Sequence, residues 1–455
     1  MDYKHLVTTY WLLKQFDQLG GGKKKWTTFY HNGVLFPPEY IPHNIPIIYN
    51  NEKIQLNPDA EEAATLYAKY LDTEYVKNSK FNKNFWSDWK VILKEPRIQS
   101  LENCDFSLIQ KYLIDNKLAT SEMSKEDKLK KKSERDLQEQ KYKVAIVDGK
   151  EQPVGNFRIE PPGIFIGRGC HPKLGKIKKR IYPEDITLNL SSDAQVPEPL
   201  EGHKWHKIIH DRNVEWIASW KDTITGKTKY VWLGAQSEIK GINDMQKYDL
   251  ARKLKRKIKV IREENEKNLV STDIKLKQIA TALYFIDNLA LRVGNEKGAD
   301  EADTVGVTSL RIEHIQLLPD SKVKLDFLGK DSVRYVNTVK VSDQIYKNIN
   351  EFMENKEKED NLFDKIIPND LNKYLQNFMK GLTAKVFRTY NASYLFQKEL
   401  KKITNKYDGY AETDKINILL DEFNKANAKV AIKNSANGMR TAIQTDRFKN
   451  HNGQI

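Results

Sequence analysis

Residues Lys277–Thr304 read KQIATALYFIDNLALRVGNEKGADEADT, an apolar helical pattern that runs straight into a charged loop. Ile279, Leu283, Ile286 and Ala290 recur at helical spacing, so one face of the predicted helix packs inward. Its C-terminal end then delivers Arg292, Asn295, Glu296 and Lys297. A guanidinium on a rigid support can hold a phosphate in one pose, because its planar fork matches two phosphoryl oxygens at once. Arg292 is therefore the first candidate for chemistry.

The chain around this stretch has 455 residues, enough for two or three domains with their own cores. A hydrophobic content of 39%, with 17 Phe and 21 Tyr, predicts a folded protein, and 30% charged residues predict a wet surface. Basic residues outnumber acidic ones by 76 to 62, leaving a net charge of +14. Such a surplus favours an anionic partner, nucleic acid before membrane, over the alternative of a merely basic soluble protein. Cys104 and Cys170 cannot build a disulfide framework or a zinc site, and no histidine cluster has ligand spacing, which fits a reducing compartment. No run of about 18 apolar residues exists, and MDYKHLVTTYWLLKQFDQLG carries charge where a signal peptide would be apolar. The expectation is a soluble intracellular protein.

The first 25 residues read as a short amphipathic segment with Leu6, Tyr10 and Leu13 on one side, then the flexible break Gly20 to Lys25. Pro-rich loops and a helix from Pro58 to Leu71, capped by Asn57, form part of a small mixed domain. Ser124 to Gln140 is predicted helical without an apolar face, so it is not a core element; a solvated or bridging helix is favoured over a DNA-binding one. WHKIIH, VEWIASW and KYVWL alternate in and out between turn signals, which predicts an antiparallel meander.

Before that meander, PPGIFIGRGCHPKLGKIKKR (Pro161 to Arg180) interleaves Arg168, Lys173, Lys176, Lys178, Lys179 and Arg180 with glycine and proline. This is a plausible clamp on a nucleic-acid backbone, since cations displace counterions and glycines admit close approach; a solvated basic loop is the alternative. It is not a nucleotide P-loop, because Lys176 is followed by Ile and the glycine spacing is one residue too long. Lys240 to Asn268 predicts a helix with Leu250, Leu254, Ile258 and Ile261 inward and a dense basic face outward. Val323, Leu325 and Phe327 alternate toward a turn at Gly329 to Ser332, a hairpin with Lys330 at its tip. In the predicted helix Leu382 to Thr404, Arg388 lies among Val386, Phe387 and Tyr390, where an unpaired charge is costly and an anion should meet it.

RVGNEK, DFLGKDSVRY and LTAKVFRTYNAS, together with NFRIEPPGIFIGRGCHPKLGKIKKRIYPEDI and GHKWHKIIHD, closely resemble the eukaryotic type IB DNA topoisomerase family from about Trp26 to Ile432. The resemblance implies an α+β fold: a two-lobed DNA clamp with a mixed α/β cap and a mostly helical catalytic lobe of the tyrosine-recombinase type carrying a small antiparallel sheet. It implies boundaries at 1–25, 26–240, 241–432 and a divergent tail 433–455. The implied partner is duplex DNA, without membrane, ATP or metal, and the implied location is the nucleus. A tyrosine attacks a backbone phosphate and a 3′-phosphotyrosine stores the bond energy. Arg292 and Arg388 stabilise the charge that builds on the phosphorane, while Lys330 protonates the leaving 5′ oxygen. By the same likeness Arg168, Lys229, Tyr230, Lys247, Asn295, Lys297, Thr304, Asn372, Thr383, Ala384 and Lys385 touch DNA. Ile166 departs from the family, which often has a second arginine there.

The likeness is expected to stop at Ile432. The family continues with a histidine, a helical linker and a Ser-Lys-x-Asn-Tyr-like nucleophile motif, whereas this sequence reads KNSANGMRTAIQTDRFKNHNGQI. Asn434, Ser435 and Ala436 stand around the histidine's place; His451 is the only tail histidine and Tyr410 the last tyrosine. The chain is thus expected to bind DNA without relaxing it alone, as a truncated translation, as one subunit whose second chain supplies the tyrosine, or as a non-catalytic paralogue. Tyrosine recombinases share the Arg-Lys-Arg logic but lack the N-terminal half.

Overall fold

A computed structural model describes residues 24–298, 300–403 and 412–434. The expected N-terminal amphipathic segment, Tyr410, His451 and nearly all of the tail lie outside the described residues. The chain divides into two compact units, one running to Gly167 and including Pro172–Asn243, the other comprising Arg168–His171 and the residues from Asp244 onward.

The first unit opens with β1 (Phe29–His31), β2 (Ile47–Tyr49) and β3 (Glu52–Ile54), then α1 (Pro58–Ala68), α2 (Ser79–Leu93), β4 (Cys104–Asp105), α3 (Ser107–Glu122) and α4 (Lys125–Gln140). Helix α1 starts where its signals stand: Pro58 opens it and the Asn57 side chain accepts from Ala60 N at 3.1 Å. It ends at Ala68, one turn short of the expected Leu71. Phe81, Phe85 and Trp89 lie on one face of α2 and are fully buried, and Trp89 Nε1 donates to the Ala60 carbonyl at 3.0 Å. Helix α4 is exposed along its length, as its lack of an apolar face predicts. Its anchor is the buried Glu139, which accepts from Arg158 Nε at 2.8 Å.

Strands β5 (Val144–Val147), β6 (Lys150–Pro153), β7 (Gly163–Ile164), β8 (Ile177–Lys178), β9 (Thr187–Asn189), β10 (Lys207–Ile209), β11 (Trp216–Lys221) and β12 (Thr228–Trp232) complete the unit. The expected meander is corrected here. The sheet runs β10-β9-β11-β12, with β10 parallel to β9, so β10 and β11 are not neighbours. Fully buried Asn189 explains the insertion: its Nδ2 donates to the Asp211 and Trp216 carbonyls at 3.1 and 3.3 Å, and its Oδ1 accepts from Asp211 N at 2.9 Å. One side chain thereby satisfies the backbone at the turn that a hairpin ladder would otherwise have served.

Helix α5 (Glu238–Asn268) contains the boundary between the units. The second unit then holds α6 (Ile274–Asn288), β13 (Ile315–Leu318), β14 (Lys322–Leu328), β15 (Arg334–Lys340), α7 (Asp343–Met353), α8 (Pro368–Gln376), α9 (Ala384–Lys401) and α10 (Glu412–Asn434). Leu254, Ile258 and Ile261 of α5, and Ile279, Leu283 and Ile286 of α6, share one core with Val323, Leu325 and Phe327 of β14. Ala251 is buried on α5, while Leu250 is only half-buried. The described residues thus form a mixed α/β chain with ten α-helices and small, mostly antiparallel sheets. No described helix is long and apolar enough to cross a membrane.

Candidate active site

Arg292 does not ride on the end of α6, as its sequence suggests. The helix stops at Asn288, and Ala290 turns into the left-handed region with φ 53° while Leu291 N reaches back to the Phe285 carbonyl at 3.5 Å. This is the usual glycine-type C-terminal turn with alanine in the strained position. Arg292 therefore sits on an extended loop, and its support is another strand of backbone. Val307 N donates to the Arg292 carbonyl at 2.8 Å, and Thr308 N to the Val293 carbonyl at 2.7 Å. The two segments touch where Gly294 meets Gly306: a Cβ on Gly294 would lie 2.7 Å from Gly306 Cα, and Gly294 has φ 87°. Neither position has room for a side chain.

Lys330 occupies the tip between β14 and β15, as expected. Leu328 pairs with Arg334, Gly329 N donates to the Val333 carbonyl at 2.8 Å, and the turn is closed by positive φ at Asp331 (68°) and Ser332 (56°). Lys330 itself is exposed. Arg168 pairs with Asp331 beside it, so this part of the basic loop lies against the hairpin tip within the second unit.

The rest of that loop has partners within the chain. Lys176 Nζ bonds Asp88 Oδ1 at 2.6 Å, Lys178 reaches Glu160 at 2.5 Å, Arg180 reaches Glu62 at 2.8 Å, and Lys173 donates to the Ile224 carbonyl at 2.9 Å. These cations tie the loop to its own unit. Acidic partners far away in sequence are invisible to a local reading, which sees only the run of positive charge.

Arg388 projects from the first turns of α9 and is half-buried. It donates from Nη1 to the Ala290 carbonyl. Burial, followed by repulsion from Arg292, pulls its pKa down to about 10, which leaves it charged at neutral pH. The helix is positioned at both sides. Asn372 on α8 accepts from Ala384 N at 3.1 Å and so caps α9, and Asn391 donates to the Asp287 carbonyl at 2.7 Å. Arg262 of α5 grips the Asp287 carboxylate through Nε at 2.7 Å and Nη2 at 3.0 Å.

Arg292, Lys330 and Arg388, far apart in the chain, line one open cleft of about 810 Å³. Lys247, Asn295, Lys297, Thr304, Ala384 and Lys385 line it too. Six cations, Lys247, Arg292, Lys297, Lys330, Lys385 and Arg388, face one carboxylate, Asp331, among the described lining residues. Such a cleft favours an anion with several oxygens. Arg168 and Thr383 are outside its lining, and Asn372 has the capping role just described. Lys229 and Tyr230 belong to the first unit. Lys229 is held by Asp222 at 2.8 Å and Glu160 at 2.5 Å; burial disfavours its charge, but these two hydrogen-bonded carboxylates outweigh it and raise its pKa. Tyr230 packs between Trp216 and Trp232.

Several residues of the site were not marked by sequence. The Ala290 carbonyl carries no signal, because a backbone acceptor can belong to any residue. Asp287 had a faint one, a buried carboxylate on an otherwise apolar helix face, while exposed Arg262 and half-buried Asn391 had none.

Two descriptions match the chain in succession: the DNA-binding fragment of eukaryotic DNA topoisomerase I over residues 24–233, and its catalytic core over 236–453. The second match continues past Ile432, where the sequence reading ended the likeness. DNA topoisomerase 1 alpha of Arabidopsis thaliana is 47% identical over 439 residues, 96% of this chain and 46% of that protein. DNA topoisomerase 1 of Homo sapiens is 47% identical over 419 residues (90% and 54%), and that of Candidozyma auris 48% over 398 residues (86% and 53%). The chain spans about half the length of the curated relatives it matches. With near-half identity sustained through both matched regions, and with the cleft built on stretches inside the second, the chain belongs to the eukaryotic DNA topoisomerase I family.

Proposed function

We propose that this chain grips duplex DNA and supplies the charge-stabilising groups of type IB strand cleavage and religation. The bond from phosphorus to the 5′ oxygen breaks as a bond to a tyrosine oxygen forms. Arg292 and Arg388 bind the phosphoryl oxygens, and Lys330 gives a proton to the departing 5′ oxygen. Rotation of the free end and reversal of the step then relax supercoils without ATP or metal. The observation that carries this reading is the arrival of these three cations, from a loop, a hairpin tip and a helix, at one cleft. Fixed charges already facing a phosphate lower the cost of the extra negative charge in the transition state. A two-lobed clamp, a recombinase-type catalytic lobe, nuclear location and DNA contacts at Arg168, Lys229, Tyr230, Asn372 and Thr383 belong to the same proposal.

The attacking tyrosine is assigned to sequence outside these 455 residues, in the same polypeptide or a second one, since Tyr410 is the last tyrosine and lies ahead of the family's motif. Relaxation of supercoiled plasmid in EDTA tests this, first with the chain alone and then with a C-terminal fragment bearing the tyrosine motif. Binding without relaxation by the chain, and relaxation by the mixture, is the expected result. Relaxation by the chain alone would overturn the assignment of the tyrosine. Binding with no activity in either case would favour the second reading, a DNA-binding paralogue, which the tail sequence around Asn434 to Ala436 supports.

A further inference from the structure

Arg388 and Asn391 stand three residues apart on α9 and therefore share a face of the helix. Their acceptors are matched in the same way: Arg388 Nη1 donates to the carbonyl of Ala290, and Asn391 Nδ2 to that of Asp287 at 2.7 Å. Asp287 lies in the last turn of α6, whose final four carbonyls have no partner inside the helix. The face of α9 that carries Arg388 thus supplies donors to the end of α6. A single such bond would leave α9 free to pivot. Two of them, together with Asn372 Oδ1 accepting from Ala384 N at 3.1 Å at the helix start, fix both its rotation and its height.

The acceptor of the Asn391 bond is itself held. The Asp287 carboxylate is buried at the C-terminal, negative end of α6, where desolvation and the helix dipole both oppose it. Arg262 of α5 offsets both through a two-pronged grip, Nε to Oδ2 at 2.7 Å and Nη2 to Oδ1 at 3.0 Å. The same Oδ1 lies 3.5 Å from Asn391 Nδ2, so one amide faces the carbonyl and the carboxylate of a single residue. Two residues beyond Ala290 the chain reaches Arg292, whose charge repels Arg388. The bonds at Asp287 and Ala290 oppose that repulsion.

We propose that Asn391 is a positioning residue: it holds Arg388 beside Arg292 so that both guanidinium groups meet one phosphoryl group, and the Arg262–Asp287 pair keeps its acceptor in place. The inference rests on the anion-binding role given to Arg388 above. Asn391 itself is not among the described residues that line the basic cleft, so its effect passes through Arg388.

The test asks whether a change at Asn391 matters only while Arg388 is present. With a tyrosine-bearing C-terminal fragment added, Asn391→Ala should slow single-turnover cleavage by about fivefold, the worth of one hydrogen bond, with duplex affinity unchanged. In the Arg388→Ala background the same change should slow cleavage no further. Calorimetric titration of the 455-residue chain alone with tungstate, at constant ionic strength, repeats the comparison without chemistry: Asn391→Ala should weaken tungstate only when Arg388 is present. Arg262→Gln, at an exposed position, should produce a smaller loss with the same dependence on Arg388, and keeps the test valid if urea unfolding shows that Asn391→Ala does not fold. Equal slowing by Asn391→Ala with and without Arg388, or no effect of either folded variant, would overturn the proposal. Tungstate binding that depends on Asn391 through Arg388, without cleavage in any mixture, would instead overturn the cleavage reading and leave the positioning role standing. A chain that neither cleaves in the mixture nor binds tungstate would sink both.

Discussion

Arg388 donates to the carbonyl oxygen of Ala290, the residue whose left-handed turn ends α6. A carbonyl satisfies one N–H without cancelling the guanidinium's charge. Burial and the nearby Arg292 lower its pKa to about 10, so the group stays charged at physiological pH yet sits where an added anion relieves repulsion. The residue that breaks the helix thus also orients the side chain that faces the cleft.

Arg388→Ala and Arg292→Ala, each combined with a tyrosine-bearing C-terminal fragment, should slow single-turnover strand cleavage by about 100- to 1,000-fold. Duplex binding at low salt should change little, because the other cleft cations remain. Parallel collapse of binding and cleavage would mean that these arginines hold DNA rather than stabilise a transition state.

Gly294→Ala should destabilise the second unit by about 1–3 kcal/mol, since the new methyl meets Gly306 at a backbone φ that disfavours side chains. Urea unfolding measures the loss. An unchanged midpoint would show that the two segments do not touch in solution.

Salt dependence separates two lysines. Lys297 lines the cleft and is exposed, so Lys297→Ala should reduce the slope of log affinity against log salt by about 0.9, one phosphate contact. Lys229 must share its charge between the proposed DNA contact and the carboxylates of Asp222 and Glu160, so Lys229→Ala should reduce that slope less. Equal reductions would show that Lys229 leaves those carboxylates for phosphate.

His31 gives the first unit an acid-sensitive point. Gly33 N donates to its Nδ1 at 3.0 Å, so the proton lies on Nε2, which donates to the Asn189 carbonyl at 2.9 Å. Burial lowers its pKa to about 4, against a modest opposing effect of that carbonyl. The unfolded chain takes up the proton near pH 6.5, well before the folded one. Its contribution is therefore complete above about pH 6.5 and disappears as the pH falls through about 4, a total of about 3 kcal/mol. His31→Gln should flatten the stability profile across that window in urea titrations; an unaltered profile would refute the assignment.

The helices were legible because their signals are local. Asn57 before Pro58, and apolar residues at helical spacing in α5 and α6, place those elements within a turn. The end of α6 was not legible, since alanine occupies the position where glycine would announce a stop. Strand β9 was hidden by its three-residue length, and its place in the sheet depends on Asn189 reaching backbone far along the chain. In the site, the identities of Arg292, Lys330 and Arg388 came through likeness to a family, while no spacing rule could bring three such distant residues together. The ion pairs of the basic loop were not legible, because a cation with a remote carboxylate looks the same in sequence as one facing solvent.

The meeting of Gly294 with Gly306 makes a closed neck, and Arg292 lies on the anchored side of it. The segment that leaves this neck is pinned at Glu296, which accepts from Asn361 Nδ2 at 3.1 Å, at Asp303, which accepts from Arg311 Nη2 at 2.7 Å, and at Val305, whose N donates to the Leu328 carbonyl at 2.8 Å. A residue inserted after Gly298 should leave the unfolding midpoint and the cleavage rate of an assembled enzyme unaltered while changing its grip on DNA. The neck thus separates the backbone that places Arg292 from the stretch that carries the proposed DNA contacts at Asn295, Lys297 and Thr304.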